Sequence, residues 1–251
     1  MTVDSQTVAQ KLPREQEHLA ALQAMRVLES YYRWTYRLMK RHIGRRILDA
    51  GCGVGNLTAL AAGSAEYVLA ADLSPENIRV MHERFAQQSH VEPIQLDLDT
   101  DFGHLRDRRF DTIVCLDVLE HVDDDIGLLR RFRQVIQPGG HLLIKVPALP
   151  WLFGSIDEAS DHRRRYRRRE LWDKAQFAGW QPIKTRYMNI AGVLPYWLKS
   201  RVFKKKANFS RTFKPWQLRL IRALVPALRT LDLFTGPFVG QSAILIARNS
   251  G

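Results

Sequence analysis

The chain has 251 residues, of which 45% are apolar and 25% charged, and it carries a formal net charge of +12 at pH 7. These values exclude a wholly disordered chain and favour one folded domain with a substantial core. No stretch has the roughly 20 apolar residues of a membrane span, and the N-terminus lacks the apolar core of a secretory signal, so we predict a cytoplasmic protein.

The first predicted element is an amphipathic helix over residues 16–43, within an N-terminal lead-in of residues 1–45. From residue 46 short apolar runs alternate with helical stretches. This alternation predicts a parallel sheet covered by helices on both faces. The expected strands are "RILDA", "YVLAA", "EPIQLD", "FDTIVCL" and "HLLIKV", and the glycine pair of "QPGGH" predicts a turn before the fifth.

Beyond residue 150 we predict a helix at 167–178, a strand near 181–189 and a last strand at 242–248. The segment 191–238 is interpreted as an insertion before that last strand. The whole chain is thus predicted to be one domain, and its three parts after the lead-in are a core at 46–150, an acceptor-side and lid region at 151–238, and the last strand at 239–251.

Three glycines follow the first strand at alternate positions, Gly51, Gly53 and Gly55. Ligands of open α/β sheets bind outside the carboxyl ends of the strands, and bare backbone lets a ligand approach closely. A tight turn without a ligand is the alternative. The dinucleotide pattern G-x-G-x-x-G places its third glycine where this chain has Asn56, which disfavours a nicotinamide-dependent oxidoreductase.

Acidic residues near the predicted strand ends indicate the charge of the ligand. A carboxylate at Asp49 would repel a pyrophosphate but would suit a cation. Asp72, at the end of the second strand, is positioned to accept hydrogen bonds from ribose hydroxyls. Asp97 follows the third strand within reach of an adenine amino group, although Asp99 and Asp101 compete for this role.

Four motifs in order, "ILDAGCGVGNLT", "VLAADLSPENI", "FDTIVCLDVLEHVDDD" and "QPGGHLLIKVPA", resemble those of class I S-adenosylmethionine-dependent methyltransferases. The resemblance covers residues 46–148. It implies a Rossmann-like seven-stranded, mostly parallel sheet with an antiparallel last strand, S-adenosylmethionine as cofactor and S-adenosylhomocysteine as product. The residues predicted to bind the cofactor are Asp49, Gly51, Cys52, Gly53, Gly55, Asp72, Leu73, Asp97, Leu98, Cys115 and Leu116.

Within that resemblance, Asp49 and Gly51 would contact the methionine moiety, and Asp72 the ribose. Asp97 with Leu98 would contact the adenine. The backbone at Cys115 and Leu116 would lie beside the methionine ammonium group.

Methyl transfer is an in-line displacement, so a protein can catalyse it by positioning the nucleophile, with a base only if the nucleophile arrives protonated. In "CLDVLEHV" the candidates for such a base are Asp117, Glu120 and His121, of which His121 can exchange a proton near neutral pH. Asp117 is also predicted to contact the acceptor. Capping of a helix by Glu120 and His121, or orientation of the cofactor, is the alternative.

The segment "GSIDEASDHRRRYRRREL" resembles one found in a bacterial branch of these small-molecule methyltransferases, of type 11/12. His162 and Tyr166 are predicted to touch an acceptor hydroxyl, and Arg164 and Arg165 to bind the acceptor. A salt-bridged surface is the alternative for the arginines. The chain departs from the usual pattern with Asp161 in place of a glycine and Arg167 in place of a threonine, which puts the turn conformation in question.

The excess positive charge lies in the C-terminal third. Residues 174–231 contain 13 Lys and Arg and no Asp or Glu, whereas residues 1–150 contain 18 and 20. Basic apolar segments at 191–231 could cover the acceptor pocket as a lid or contact the inner face of a membrane. Either arrangement predicts an anionic or lipid-linked acceptor.

We therefore predict methyl transfer to a hydroxyl or similar nucleophile of a small-molecule, lipid-linked or glycan acceptor. An RNA- or membrane-binding basic module is the alternative from another class. The chain lacks the N/D-P-P-Y/F motif of many nucleic-acid methyltransferases, which makes a nucleic-acid partner the weaker hypothesis. No metal ligand is predicted, because Cys52 and Cys115 are the only cysteines, although a site built on histidine stays open, as does the oligomeric state.

Overall fold

The computed structural model of the protein describes residues 29–100, 102–204 and 215–251, without the side chains of residues 215–222. Seven strands form one sheet in the order β3-β2-β1-β4-β5-β7-β6. They are β1 (Arg46–Ala50), β2 (Tyr67–Asp72), β3 (Val91–Gln95), β4 (Phe110–Leu116), β5 (Ile136–Pro147), β6 (Gln181–Met188) and β7 (Ser242–Arg248).

Strands β1 to β5 pair in parallel, and β7 runs antiparallel between β5 and β6. The predicted seven-stranded sheet with an antiparallel last strand is confirmed. The last strand was predicted at the residues where the structure has it.

The helices are α1 (Glu29–Met39), α2 (Thr58–Ala61), α3 (Pro75–Arg84), α4 (Asp125–Val135), α5 (Ser155–Ala159), α6 (Arg168–Phe177), α7 (Val193–Trp197) and α8 (Pro215–Thr235). A π-helical turn, Leu198–Val202, continues α7. Residues 16–28 of the predicted first helix lie outside the described residues. The predicted helical insertion between β6 and β7 corresponds to α7, the π turn and α8.

Side chains alternate between the two faces of the sheet, so each face has its own core. Leu48 and Leu69 pack on one face with Phe132 of α4 and Leu171 of α6. On the other face, the neighbouring residues Ile47, Val68 and Ala70 pack with Trp34 of α1, Met81 of α3 and Val225 of α8. Helices therefore cover both faces, as the strand and helix alternation predicts.

The local capping signals explain where two of these helices begin. Ser74 caps α3 by accepting a hydrogen bond from the Asn77 N–H, and Pro75 occupies the first helical position. Asp124 caps α4 in the same way, by accepting from the Gly127 N–H at 2.8 Å.

The prediction of a turn at "QPGGH" is wrong. β5 begins at Ile136 and runs through these residues. Its pairing with β4 shifts register there, from Phe110 opposite Ile136 to Thr112 opposite His141. The extra residues form a bulge, and Gly139, at φ 84°, supplies the left-handed conformation that the bulge needs.

In the part of the chain that the structure describes, none of the helices combines the length and the apolar character needed to span a bilayer.

Candidate active site

Three neighbouring strands end at one edge of the sheet and bring the predicted acidic residues together. Ala50 of β1 lies opposite Ala71 of β2 and Cys115 of β4. The next residues, Asp72 and Leu116, therefore flank the turn that follows β1. Ligands of this fold class bind at this edge, where the strand order reverses between β1 and β4.

The turn after β1 uses its glycines for conformation and for packing. Gly51, Gly53 and Gly55 all have positive φ, at 79°, 54° and 76°. A Cβ on Gly51 would overlap the Val118 side chain, and one on Gly55 would overlap Met81. The turn is thus specified by its own backbone and neighbours, in addition to any ligand that approaches it.

Asp49 is buried behind this turn, and its carboxylate accepts a hydrogen bond from the Thr58 hydroxyl at 2.6 Å. Burial, opposed by the Thr58 hydrogen bond and aided by the nearby Asp72 charge, raises the pKa of Asp49 to about 6. Within the described residues, no Lys or Arg forms an ion pair with Asp49. The turn therefore holds a buried acid whose charge has no cationic protein partner there.

Asp72 is held at the end of β2 by three donors. The Gly53 N–H donates to Oδ2 at 2.8 Å, while the Ser74 N–H and the Asn77 side-chain amide donate to Oδ1 at 2.9 and 3.0 Å. The following residue, Leu73, is 63% exposed. An oriented carboxylate thus lies beside an exposed apolar side chain, which suits a ligand that has both hydroxyls and a flat apolar ring.

The loop after β3 leaves the acid predicted to face adenine exposed. Asp97 accepts a hydrogen bond from the Asp99 N–H at 2.9 Å. Leu98 is buried, and its carbonyl accepts from Arg131 at 3.0 Å. Asp99 forms an ion pair with Arg131 at 3.8 Å. Asp99 is thus engaged in an ion pair, whereas the contact described for Asp97 is a hydrogen bond from a backbone N–H. Asp101 lies outside the described residues.

Both cysteines near the site are buried and reduced. Burial, with Asp49 nearby, raises the pKa of the Cys52 thiol well above its usual range. Burial raises that of Cys115 as well. Both thiols therefore stay protonated near neutral pH and are poor nucleophiles. The contact predicted for Cys115 involves its backbone and does not need the thiol.

Lys145 is the charged residue at this edge that the sequence analysis missed. It lies in β5 opposite Leu116, is 5% exposed, and forms an ion pair with Asp117. Its ammonium also lies 5.7 Å from the ring centre of Tyr31 in α1. Burial lowers the pKa of Lys145, but the Asp117 carboxylate together with Tyr31 and Tyr32 outweighs burial, and the pKa is raised. A lone lysine within "HLLIKV" was the signal that could have identified it.

Asp117, predicted to contact the acceptor, is thus already paired with Lys145. It stays half-exposed, and its backbone adopts a left-handed conformation at φ 54°. The side chain can therefore meet solvent and a protein partner together.

Two residues predicted to act on the acceptor are buried. Arg165 donates to the buried Asp157 at 2.8 Å and to the Ala148 carbonyl at 2.9 Å, and it lies over the ring of Tyr196. The Tyr166 side chain is fully buried, and its hydroxyl donates to the Leu119 carbonyl or to Asp125. These contacts do not fit the predicted contacts with an acceptor, because both polar groups are occupied inside the protein.

The neighbouring arginines fit the salt-bridged alternative. Arg163 pairs with Asp123 at 2.7 Å, and Arg164 pairs with Asp125 at 3.3 Å. Asp161, where a glycine is usual, adopts the left-handed conformation at φ 56°, which Asp tolerates better than most residues. This departure from the pattern therefore preserves the turn.

His121 and His162 lie together. Their ring centres are 4.9 Å apart and the rings are nearly perpendicular. Asp157 orients His162 through Nδ1 at 2.9 Å, and the Asp161 carbonyl lies 3.2 Å from Nδ1 of His121. The two histidines predicted to be catalytic are thus neighbours. Arg163 links their two segments by donating hydrogen bonds to the Glu120 and His121 carbonyls.

The C-terminal helical segments combine packing with exposure. Val225 and Leu228 of α8 pack against the sheet, and Asp232 accepts hydrogen bonds from the Asn189 and Ile190 N–H groups. The side chains of Leu218 and Ile221 in the same helix lie outside the described ones. The apolar side chains exposed in this region are Leu194, Trp197, Val202, Phe203, Leu224, Leu231, Leu233, Phe234 and Phe238.

Known proteins resemble this chain in sequence and in fold. A "Ubiquinone biosynthesis O-methyltransferase" from Xanthomonas campestris pv. campestris is 32% identical over 101 residues, which are 40% of this chain and 42% of the relative. The chain thus matches less than half the length of this relative.

Solved structures share the fold. A putative methyltransferase from Bacillus halodurans has a TM-score of 0.58 at 16% identity, with 86% of this chain and 99% of that chain covered. The phosphoethanolamine N-methyltransferase 2 of Haemonchus contortus, solved with S-adenosyl-L-methionine, has a TM-score of 0.57 at 20% identity, with 86% and 52% covered.

A sequence family described as "Methyltransferase domain" matches residues 19–187. That match runs from before α1 to the next-to-last residue of β6 and includes the turn with its glycines, Asp49 and Asp72. It favours the sulfonium cofactor of the sequence analysis over the dinucleotide alternative. The chain belongs to the class I S-adenosylmethionine-dependent methyltransferases.

Proposed function

We propose that the protein transfers the methyl group of S-adenosylmethionine to a hydroxyl of a small-molecule acceptor, one that is anionic or lipid-linked. The observation that carries the proposal is the pair of carboxylates at the strand edge. Asp49 is buried without a cationic protein partner among the described residues, and Asp72 is oriented by three donors. Family membership supplies the cofactor class.

The residues at this edge fit that cofactor. A buried carboxylate with a raised pKa is stabilised in its charged form by a cationic ligand, and the cofactor carries an ammonium and a sulfonium. Asp72 would accept from the ribose hydroxyls, and the exposed Leu73 would pack against the adenine. When bound, the cofactor supplies an electrophilic methyl group with a good leaving group.

The protein's own contribution is to bind, to orient and to accept a proton. His121 and His162 lie together, with His121 four residues after Asp117 in the chain, and an imidazole can take the proton of a hydroxyl nucleophile near neutral pH. Asp157 holds His162 with Nδ1 as the donor, so Nε2 carries the lone pair in the neutral ring. Lys145, paired with Asp117, supplies positive charge near an anionic acceptor.

Sequence similarity supports oxygen as the acceptor atom. The Xanthomonas relative is named for an O-methyltransferase, and its match covers 40% of this chain. The two histidines provide a base, which an oxygen nucleophile needs if it arrives as a neutral hydroxyl.

We further propose that residues 191–231 contact an anionic membrane surface at the inner face of the membrane, where a lipid-linked acceptor would reside. Trp197, Val202 and Phe203 are exposed next to Lys199, Arg201 and Lys204 in the sequence. Exposed aromatic and aliphatic side chains interspersed with basic ones favour a membrane interface.

Titration calorimetry with S-adenosylhomocysteine tests the cofactor part. We expect binding by the intact chain and its loss in Asp72→Ala, while absence of binding by the intact chain would contradict the proposal.

The acceptor part is tested with radiolabelled S-adenosylmethionine and fractionated lipid, small-molecule and RNA extracts. Label in an organic-soluble fraction supports it, and label confined to RNA contradicts it.

Sedimentation with vesicles tests the membrane part. Vesicles with anionic lipid should retain the protein at low salt and release part of it as salt rises. A variant with Trp197→Ala and Phe203→Ala should bind less at every salt concentration. Equal binding by this variant and the wild type would contradict the contact.

A further inference from the structure

Glu120 is the exception among the buried acids of the described chain. Asp49, Asp125, Asp157 and Asp232 each accept at least one hydrogen bond. Glu120 has no exposed surface, and within the described residues neither of its carboxylate oxygens has a hydrogen-bond partner. An isolated buried carboxylate is costly unless a proton or a cation compensates it.

Two imidazoles converge on this carboxylate. One ligand atom each from Glu120, His121 and His162 lies within 4.8 Å of the other two. Two ligands of one zinc ion lie about 3.4 Å apart when each bond is about 2.1 Å and the geometry is tetrahedral. Small side-chain rotations would therefore bring the three atoms onto a common ion.

The imidazoles are oriented as metal ligands usually are. A ligating histidine commonly donates its second ring nitrogen to a carboxylate or a backbone carbonyl. His162 makes this contact to Asp157 at 2.9 Å, and His121 lies 3.2 Å from the Asp161 carbonyl, both through Nδ1. Asp157 is itself fixed by Arg165 and by the Gly154 N–H. Nε2 is then the lone-pair nitrogen of each neutral ring.

The two basic residues whose charges act on Glu120, Lys145 and Arg165, each form an ion pair with another carboxylate. Lys145 pairs with Asp117, and Arg165 pairs with Asp157. A cation among the three ligands would stabilise the carboxylate in its charged form.

We propose that Glu120, His121 and His162 bind a divalent transition-metal ion such as Zn²⁺. Two imidazoles with one carboxylate form a donor set that such ions take, with coordination positions left for other ligands. The sequence analysis assigned no metal ligand; His162 lies 41 positions after His121, and only the fold brings it to Glu120 and His121. A metal-bound imidazole has no lone pair left for a proton, so the base role of the two histidines under the proposed function applies to the metal-free protein, whereas binding of the ion does not depend on that function.

Metal titration of the full chain, stripped with a chelator and dialysed, tests the proposal. We expect one Zn²⁺ per chain by calorimetry, and Co²⁺ should give the visible absorption of an imidazole-bound ion. Glu120→Gln and His162→Gln should each weaken Zn²⁺ binding at least about tenfold and abolish the Co²⁺ spectrum. The isosteric Glu120→Gln keeps the buried volume, so a folding defect is separable by circular dichroism.

The chain offers a matched control in its other histidine pair. His42 and His141 have ring centres 5.0 Å apart but are not part of a three-ligand group among the described residues. His42→Gln should therefore leave the tight Zn²⁺ site unchanged. Loss of that site in His42→Gln, or equal affinity in the wild type and in both ligand variants, would overturn the assignment.

S-adenosylhomocysteine binding measured on the same samples separates the two proposals. If the chain binds S-adenosylhomocysteine but does not bind Zn²⁺, the metal site is overturned and the proposed function is not affected. Binding of Zn²⁺ without the nucleoside supports the metal site and contradicts the proposed function.

Discussion

Lys145 and Asp117 form an ion pair in which the two partners differ in exposure, since the lysine side chain is 6% exposed and the aspartate 49%. The buried lysine depends on the pair for compensation of its charge, whereas the aspartate can be solvated on its own. The two single substitutions should therefore have different effects on stability.

Asp117→Asn is expected to lower the free energy of unfolding by about 1–3 kcal/mol, because it leaves a buried ammonium without its carboxylate. Lys145→Met should change it by less than about 1 kcal/mol, because the variant removes the buried charge and keeps the volume. Urea unfolding at pH 7 measures both. Equal losses in the two variants would contradict this asymmetry.

Asp49 predicts a pH dependence of stability in the ligand-free protein. Its pKa is raised from 3.8 to about 6, so the folded state holds a proton that the unfolded state releases near pH 4. The free energy of unfolding should then fall as pH rises from about 4 to 6, by roughly 3 kcal/mol for this group. Asp49→Asn should remove that fall, which thermal unfolding across the pH range can measure.

The same carboxylate predicts the pH dependence of cofactor binding. A cationic ligand favours ionised Asp49, so affinity should decrease about tenfold per pH unit below 6 and level off above it. Calorimetry with S-adenosylmethionine in buffers of matched ionic strength tests this. In Asp49→Asn the affinity should be lower at neutral pH and flat with pH, and a wild-type profile without a break near pH 6 contradicts the assignment.

Gly51→Ala tests the turn. A Cβ there would overlap Val118 in a backbone with φ 79°, so we expect a loss of about 2–4 kcal/mol and weaker S-adenosylhomocysteine binding. Gly63→Ala is the matched control, because nothing lies within 4 Å of its Cβ position. The control should stay within about 1 kcal/mol of wild type. Similar stability of both variants would be evidence against the packing role of Gly51.

Tyr166→Phe distinguishes a buried structural hydroxyl from one that acts on the acceptor. Losing its bond to Leu119 or Asp125 should cost about 1–2 kcal/mol of stability and leave kcat within about twofold. His121→Ala, at a proposed base, should lower kcat about 100-fold. A decrease in kcat of more than tenfold in Tyr166→Phe, without loss of stability, would instead support the catalytic role predicted for Tyr166 from the sequence.

Local patterns predicted the sheet well because each strand and cap is encoded by adjacent residues. The alternation of apolar runs predicted β1 to β4, and the Ser74-Pro75 pair is a local signal for the start of α3. At "QPGGH" the same reasoning failed, since a bulge needs the left-handed glycine that a turn also needs. Only the pairing with β4 distinguishes the two.

The contacts around the arginine run could not be predicted from local patterns, because they join residues far apart in the chain. The six arginines at 163–169 carry no local sign of which ones are buried. Arg165 is buried because Asp157 and Tyr196 surround it, whereas Arg163 stays at the surface with Asp123. Lys145 and Glu120 likewise have a role that depends on neighbours from other strands and loops.

The position of β7 in the sheet has a consequence for biosynthesis. β7 is the last strand along the chain, yet it separates β5 from β6, and β6 has no other strand neighbour in the sheet. As the chain emerges from the ribosome, β1 to β5 can associate early, but β6 must wait for residues 242–248 to be made. Until then β6 and the open edge of β5 are exposed to chaperones and proteases.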